Sequence, residues 1–239
     1  MKLFFIVASF GVLLFSSCDE ITGERIRGNG NVISQVRTHS NFTGVEVSNA
    51  IHLYVKQDSV SSVKVEADEN LQQHIIITEE NGVLRIREED GTNLNATGKI
   101  KVYVSAPAFK YLDASGASKI IGENELTGDA IDIDVTGASH ADLELKTPKV
   151  SASMSGASSV SLVGQTKDLL IKGSGASDAN CFELLSENAE VDLSGASNAE
   201  VFASVRITAE ASGASDVRYK GSAVVSQSTS GAGSVKKVQ

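Results

Sequence analysis

The chain has 239 residues, a formal net charge of −9, and 30 Asp and Glu against 21 Lys and Arg. That balance lacks the clustered positive charge that phosphate backbones require, and it excludes a nucleic-acid partner. Hydrophobic residues make up 41% but aromatics only 5%, with no Trp, which excludes a disordered chain and points to a core of small and β-branched side chains in regular sheets.

The first element is a leader. Lys2 precedes an apolar run from Leu3 to Phe15, followed by Ser16, Ser17 and Cys18. A positive start, an apolar stretch too short to span a bilayer and small residues before a cleavage point predict a signal peptide over residues 1–17. Leu14-Phe15-Ser16-Ser17-Cys18 resembles a lipobox, with Phe15 departing from the usual Leu. The resemblance implies that Cys18 becomes the acylated N-terminus, and several acyl chains on one residue give stable anchoring. The membrane is therefore an expected partner, and the cell envelope, as an outer-membrane lipoprotein, is the expected location. The second cysteine, Cys181, then has no disulfide partner and falls on an apolar strand phase, which predicts a buried inert thiol.

Residues 18–34 read as the lipidated Cys and a flexible lead-in, with Gly28-Asn29-Gly30-Asn31 as its loosest stretch. Residues 35–110 alternate like strands. Val45 and Val47, then Ile51, Leu53 and Val55, then Val63 and Val65 keep a period of two. So do Ile75 and Ile77, Leu84 and Ile86, and Ile100, Val102 and Val104. Asn81-Gly82 reads as a turn. This half is expected to be irregular coils, a cap or a small sheet domain, joined without a linker to the C-terminal half.

Residues 111–239 repeat. Ser115-Gly116-Ala117-Ser118 recurs with little change around Gly137, Gly156, Gly175, Gly195, Gly213 and Gly231, at spacings of 21, 19, 19, 20, 18 and 18 residues. The alternation runs through each motif, as in Ile131, Ile133, Val135, Gly137, Ser139, Ala141, Leu143 and Leu145. This phase places the glycine and the second serine inward, with glycine as the inner corner between two strands. One repeat cannot bury its face alone, but stacked repeats can. The predicted fold is all-β: a single-chain β-solenoid, or β-helix, spanning 35–239, with about 19 residues and two short strands per coil. A sandwich or propeller of hairpins is the alternative, disfavoured by the lack of Asn-Gly or Asp-Gly turns between the repeated strands. Lys236 and Lys237 look like a guard on the last strand edge.

The runs Phe42-Thr43-Gly44-Val45-Glu46-Val47, Val65 to Leu71, Gly82-Val83-Leu84-Arg85-Ile86 and Val104-Ser105-Ala106-Pro107, followed by the Ser-Gly-Ala-Ser repeats, resemble the family described as "putative auto-transporter adhesin, head GIN domain". The resemblance covers most of residues 35–220. It implies a β-helical extracytoplasmic protein, often a lipoprotein, with no catalytic residues to carry over. A family name does not by itself establish a function.

Residues with recognisable chemistry are few. His39, His52, His74 and His140 have no metal-ligand spacing. The stretch from Gly91 to Gly98-Lys99 lacks phosphate-loop spacing, and a motif repeated seven times is a scaffold rather than a nucleophile. Stacking would align two outward columns. One runs Lys119, His140, Ser159, Asp178, Asn198, Asp216, Ser234, and the other Asp113, Asp134, Ser153, Lys172, Asp192, Glu210, Ser228. Asp178, Asn198 and Asp216 are the candidate ligand face, offering oxygens to Ca²⁺ or a sugar. An ordinary polar outer face explains the same residues, and no cofactor or metal is expected. The expected function is a non-catalytic envelope lipoprotein that binds a glycan or protein ligand, or adheres, through the solenoid's outer face. The alternatives are a polysaccharide-acting β-helix lyase or hydrolase, which needs convergent charged groups in a cleft, and a purely structural envelope protein.

Overall fold

The computed structural model describes residues 23–239, so the leader and Cys18 lie outside the described residues. The motif-free half contributes β1 (Glu24–Arg27), β2 (Val32–Arg37), β3 (Gly44–Val47), β4 (His52–Gln57) and β5 (Ser62–Asp68). A 3-10 helix at Glu69–His74 comes next, then β6 (Ile75–Glu80), β7 (Val83–Glu88), β8 (Thr92–Asn95) and β9 (Lys101–Ala106). The repeats give β10 (Tyr111–Ala114), β11 (Lys119–Gly122), β12 (Leu126–Thr127), β13 (Ala130–Val135), β14 (His140–Met154) and β15 (Ser159–Gly173). They finish with β16 (Asp178–Leu193), β17 (Asn198–Ala211), β18 (Asp216–Lys220), β19 (Val224–Thr229) and β20 (Ser234–Lys237).

These strands stack as a parallel β-solenoid with two walls. Each coil crosses the first wall, turns at the Ser-Gly-Ala-Ser motif and returns along the second. The repeats pair in register, for example Ile131 with Val150, Val150 with Leu169, and Ala141 with Val160. The alternating apolar residues of both walls point between them and form one continuous core from Phe42 to Val217. Parallel strands need a connection that reverses direction, and here the second wall serves as that connection.

The glycine differs from its expected place. The second serine is buried in Ser118, Ser139, Ser158, Ser177, Ser197 and Ser215. The glycine instead sits on the exposed outer tip of the turn. Its φ lies between +67° and +80° in all seven motifs, a left-handed conformation that glycine adopts without a Cβ penalty. From Gly116 to Gly213, the carbonyl of each motif glycine accepts the amide of the next coil's alanine, at 2.7–2.9 Å. From Gly137 to Gly231, a Cβ would stand 2.5–2.8 Å from the preceding glycine's oxygen. The alternation holds on both sides of the motif, but a turn with one left-handed residue carries the chain around outside the core. The other corner is no turn at all: β14 to β17 bend through it as strands of 14–16 residues. There Thr147 and Thr166 hydroxyls donate to the carbonyls of Lys149 and Asp168.

The motif-free half belongs to the same stack, in scrambled order. The coil β3–β4 lies between the coil β7–β9 and the coil β10–β11. Ser48-Asn49-Ala50-Ile51 occupies the corner, with Asn49 and Ala50 at φ of 63° and 59° in place of glycine. Ile51 stands where the repeats have serine. Its neighbour Ser118 is left with a buried hydroxyl lacking a partner, the only such side-chain atom among the described residues.

The N-terminal end is closed by antiparallel pieces: β2 on β5, β5 on β9, and β6 on β7. The 3-10 helix between them packs against β2, β5, β6 and β8, with Leu71 fully buried. The segment Gly28–Asn31, expected to be a flexible lead-in, is instead a pinned turn between β1 and β2. The buried Asp68 carboxylate accepts the Gly30 amide at 2.7 Å and both the amide and hydroxyl of Thr97 at 2.9 and 2.7 Å. The Asn70 side chain accepts from the Asn29 amide. Sequence patterning shows small polar residues here and cannot show the buried acid that orders them.

Candidate functional surface

Both predicted outward columns form. Asp113, Asp134, Ser153, Lys172, Asp192, Glu210 and Ser228 stand one above another on the first wall. Glu46 and Arg85 extend that column beyond Asp113. On the second wall Lys119, His140, Ser159, Asp178, Asn198, Asp216 and Ser234 align. Within the candidate ligand trio, Asn198 donates to Asp178 at 2.8 Å and Asp216 accepts from the Ser234 hydroxyl. The three are neighbours on a flat exposed ladder that satisfies some of its own polarity. No group of three or more His, Cys, Asp or Glu in metal-holding geometry occurs among the described residues.

The second-wall column continues beyond the repeats. Lys119 pairs with His52, His52 with Lys101, and Lys101 with Glu66. Four successive rungs, Lys101, His52, Lys119 and His140, therefore carry a cation or an imidazole about 4.8 Å apart. Burial, then the charges of Lys99, Lys119 and Lys101, holds His52 below its ordinary pKa. Burial and Lys119 do the same to His140, against a smaller opposite pull from Asp142. The His140 ring shares a hydrogen bond of 2.7 Å with Ser159. One column over, Tyr54 and Tyr103 stack with centroids 4.8 Å apart, and Lys64 sits 4.2 Å over the Tyr103 ring.

The signal for these residues is present in the sequence. Ile51-x-Leu53-x-Val55 and Ile100-x-Val102-x-Val104 put His52, Tyr54, Lys101 and Tyr103 outward. What is missing there is the pairing of those strands with the repeats, which long-range register alone supplies.

On the first wall Glu46, Asp113 and Asp134 are successive carboxylates. Burial lifts Asp113 to about 6, opposed by the Tyr111 hydroxyl that donates to it at 3.3 Å and aided by the charges of Asp134 and Glu46. Arg85 pairs with Glu46 at 3.0 Å. Glu46, Asp113 and Arg85 line a depression on this sheet face, and Asp134 lies outside it. Cys181 is a free thiol, fully buried and pushed up to about 12 by that burial, which leaves it protonated and unreactive.

Several solved structures share this architecture. A crystal structure described as a putative adhesin from Bacteroides fragilis is 20% identical over 89% of this chain and 100% of its own, with a TM-score of 0.84. One described as a putative adhesin from Parabacteroides merdae is 22% identical over 91% and 100%, at 0.71. One described as a putative lipid binding protein from Parabacteroides distasonis is 21% identical over 90% and 100%, also at 0.71. Comparison with curated proteins gives no match. At these identities the likeness is one of fold. The sequence relation is more specific: residues 41–223 match the family described as "Putative auto-transporter adhesin, head GIN domain", and the chain belongs to that family.

Proposed function

We propose that the chain is a non-catalytic envelope lipoprotein that holds a ligand or another surface against the outer faces of its solenoid. Its family is named for adhesion, which suggests an extracellular or envelope-associated protein. The observation that carries the reading is the pair of walls themselves. Their outward positions repeat in register over the whole stack, giving extended polar ladders. Such surfaces suit contact with long or repetitive partners. In this reading Cys18 carries the lipid anchor. Five residues separate it from Glu24 in β1, a reach of about 20 Å when fully extended. The capped end then lies within that reach of the membrane.

Two measurements test this. Cys18→Ala is expected to move the protein from the membrane fraction to the soluble fraction, and retention in the membrane fraction would refute the anchor. The Cys18→Ser chain, purified and assayed on glycan arrays and whole cells, is expected to bind a defined class. Absence of any binding in both assays would count against adhesion and favour a purely structural envelope role.

A further inference from the structure

The two walls carry different charge. The first presents Glu46, Asp113, Asp134, Asp192 and Glu210 in one column that also holds the cations Arg85 and Lys172. The second presents Lys101, His52, Lys119 and His140 on four successive rungs near the capped end. Lys101 is neutralised by Glu66 at 2.8 Å. Lys119 and the exposed Lys99 have no carboxylate within salt-bridge distance among the described residues. In a chain of net charge −9, this is a local positive strip on an acidic body. Hydroxyls flank it. Ser159 continues its column, the Tyr54–Tyr103 stack lies alongside, and a groove of about 410 Å³ next to Tyr103 is lined by the mutually bonded Ser62 and Ser105, by Lys56 and Lys64, and by Asp58 and Glu123, with Lys56 paired to Asp58. Asp142 borders the strip, and Asp178 ends it two rungs past His140.

We propose that this strip binds an acidic polysaccharide laid along the solenoid axis, its carboxylate or sulfate groups on Lys99 and Lys119 and its hydroxyls on the serine and tyrosine side chains. The proposal rests on the reading of the outer face as a binding surface and names its ligand class. Lys119 stands two rungs, about 10 Å, from Lys101 with His52 between them, and Lys99 lies two residues before Lys101, so a linear polymer would meet the two free lysines with charges on alternate units. The overall negative charge repels the dense phosphates of a nucleic acid. The two tyrosines spend their inner ring faces on each other, which leaves edges and hydroxyls for polar contact and disfavours insertion into a lipid surface.

The test uses the full Cys18→Ser chain, polygalacturonate and heparin as acidic probes, and dextran as the neutral one. Binding to at least one acidic probe and not to dextran is expected, weakening as salt rises. Lys99→Glu with Lys119→Glu should lower that affinity by about tenfold or more with an unchanged circular dichroism spectrum. Lys99→Gln with Lys119→Gln serves the same end if the charge reversal fails to fold. Lys149→Glu with Lys172→Glu, on the first wall, should leave binding intact. Equal binding to dextran, or equal loss from both pairs, overturns the proposal. So does preferential binding to phosphatidylglycerol vesicles, which assigns the strip to a lipid surface. Cell or neutral-glycan binding that survives the Lys99 and Lys119 changes refutes the strip while leaving adhesion standing. No binding to any glycan or cell refutes both.

Discussion

Asp113 shows what one position on a solenoid wall feels. It is half-buried between Glu46 and Asp134, and burial first, then those two charges, lifts its carboxyl from 3.8 to about 6 despite the Tyr111 hydrogen bond. The folded state therefore holds a proton that the unfolded chain gives up near pH 4. Stability assigned to this group is full below about pH 4, declines as pH rises towards 6, and stays reduced above it. Asp113→Asn keeps the shape and an acceptor for Tyr111 but cannot ionise. It is expected to stabilise the fold at pH 7.5 by on the order of 1 kcal/mol after allowing for solvent screening, and to change it little at pH 4. Urea unfolding of the parent and variant at both values checks this. A variant no more stable at pH 7.5 than at pH 4, relative to the parent, would show that the carboxylate is fully solvated. The same crowding explains why this site is not legible in the sequence. Asp113 and Asp134 are 21 residues apart and Glu46 is 67 from Asp113, and only stacking makes them neighbours.

The Gly ridge acts as an element rather than as separate turns. Gly195 has a φ of +79°, and a Cβ there would stand 2.5 Å from the Gly175 oxygen. Gly30 has a similar φ of +82° with nothing within 4 Å. Gly30→Ala thus meets only the left-handed backbone cost, about 1 kcal/mol. Gly195→Ala must also push adjacent coils apart and strain the Ala196-to-Gly175 hydrogen bond of 2.7 Å, for a total of roughly 3 kcal/mol. Thermal unfolding of the two variants separates the contributions, and equal losses would mean that contact between coils contributes nothing. The sequence announces the ridge through its spacing of 18–21 residues. It also announces both walls, since Val45, Leu53, Val65, Leu84 and Val102 are all buried as their alternation requires. It misplaces the glycine inward because period two assigns a residue to a face only while the chain stays extended. It cannot order the first coils, because β3–β4 sits between elements that come after it in the chain. No local pattern records that crossing.

At the scale of the whole molecule, a solenoid must end without inviting another copy to continue it. The capped end uses folded chain: β2, β5, β6 and a 3-10 helix with the buried Leu71. The far end uses composition. The last coil stacks on the buried Ile207, Ala209, Ala211 and Val217, yet in the same columns it carries Val225, Gln227, Thr229 and Val235, with Lys237 over Tyr219. Three of those five core-phase positions are polar, so the final surface stays wetted where a further coil would have to bury it. Lys237 stands in this interior column, while Lys236 faces outward over Arg218; of the two lysines, Lys237 is the one placed as a guard. Among the described residues β19 pairs only with β17, and β20 only with β18. Burying an unpaired ammonium and two polar side chains against a second copy costs more than the edge hydrogen bonds return. Replacing Gln227, Thr229 and Lys237 together by Val removes that cost and extends the apolar stripe to the edge. The triple variant is expected to associate end to end, with a mass that grows with concentration in sedimentation equilibrium, while the parent's mass does not. If the variant sediments as the parent does, edge geometry rather than side-chain polarity limits the stack, and the polar coil is then only the place where the repeat runs out.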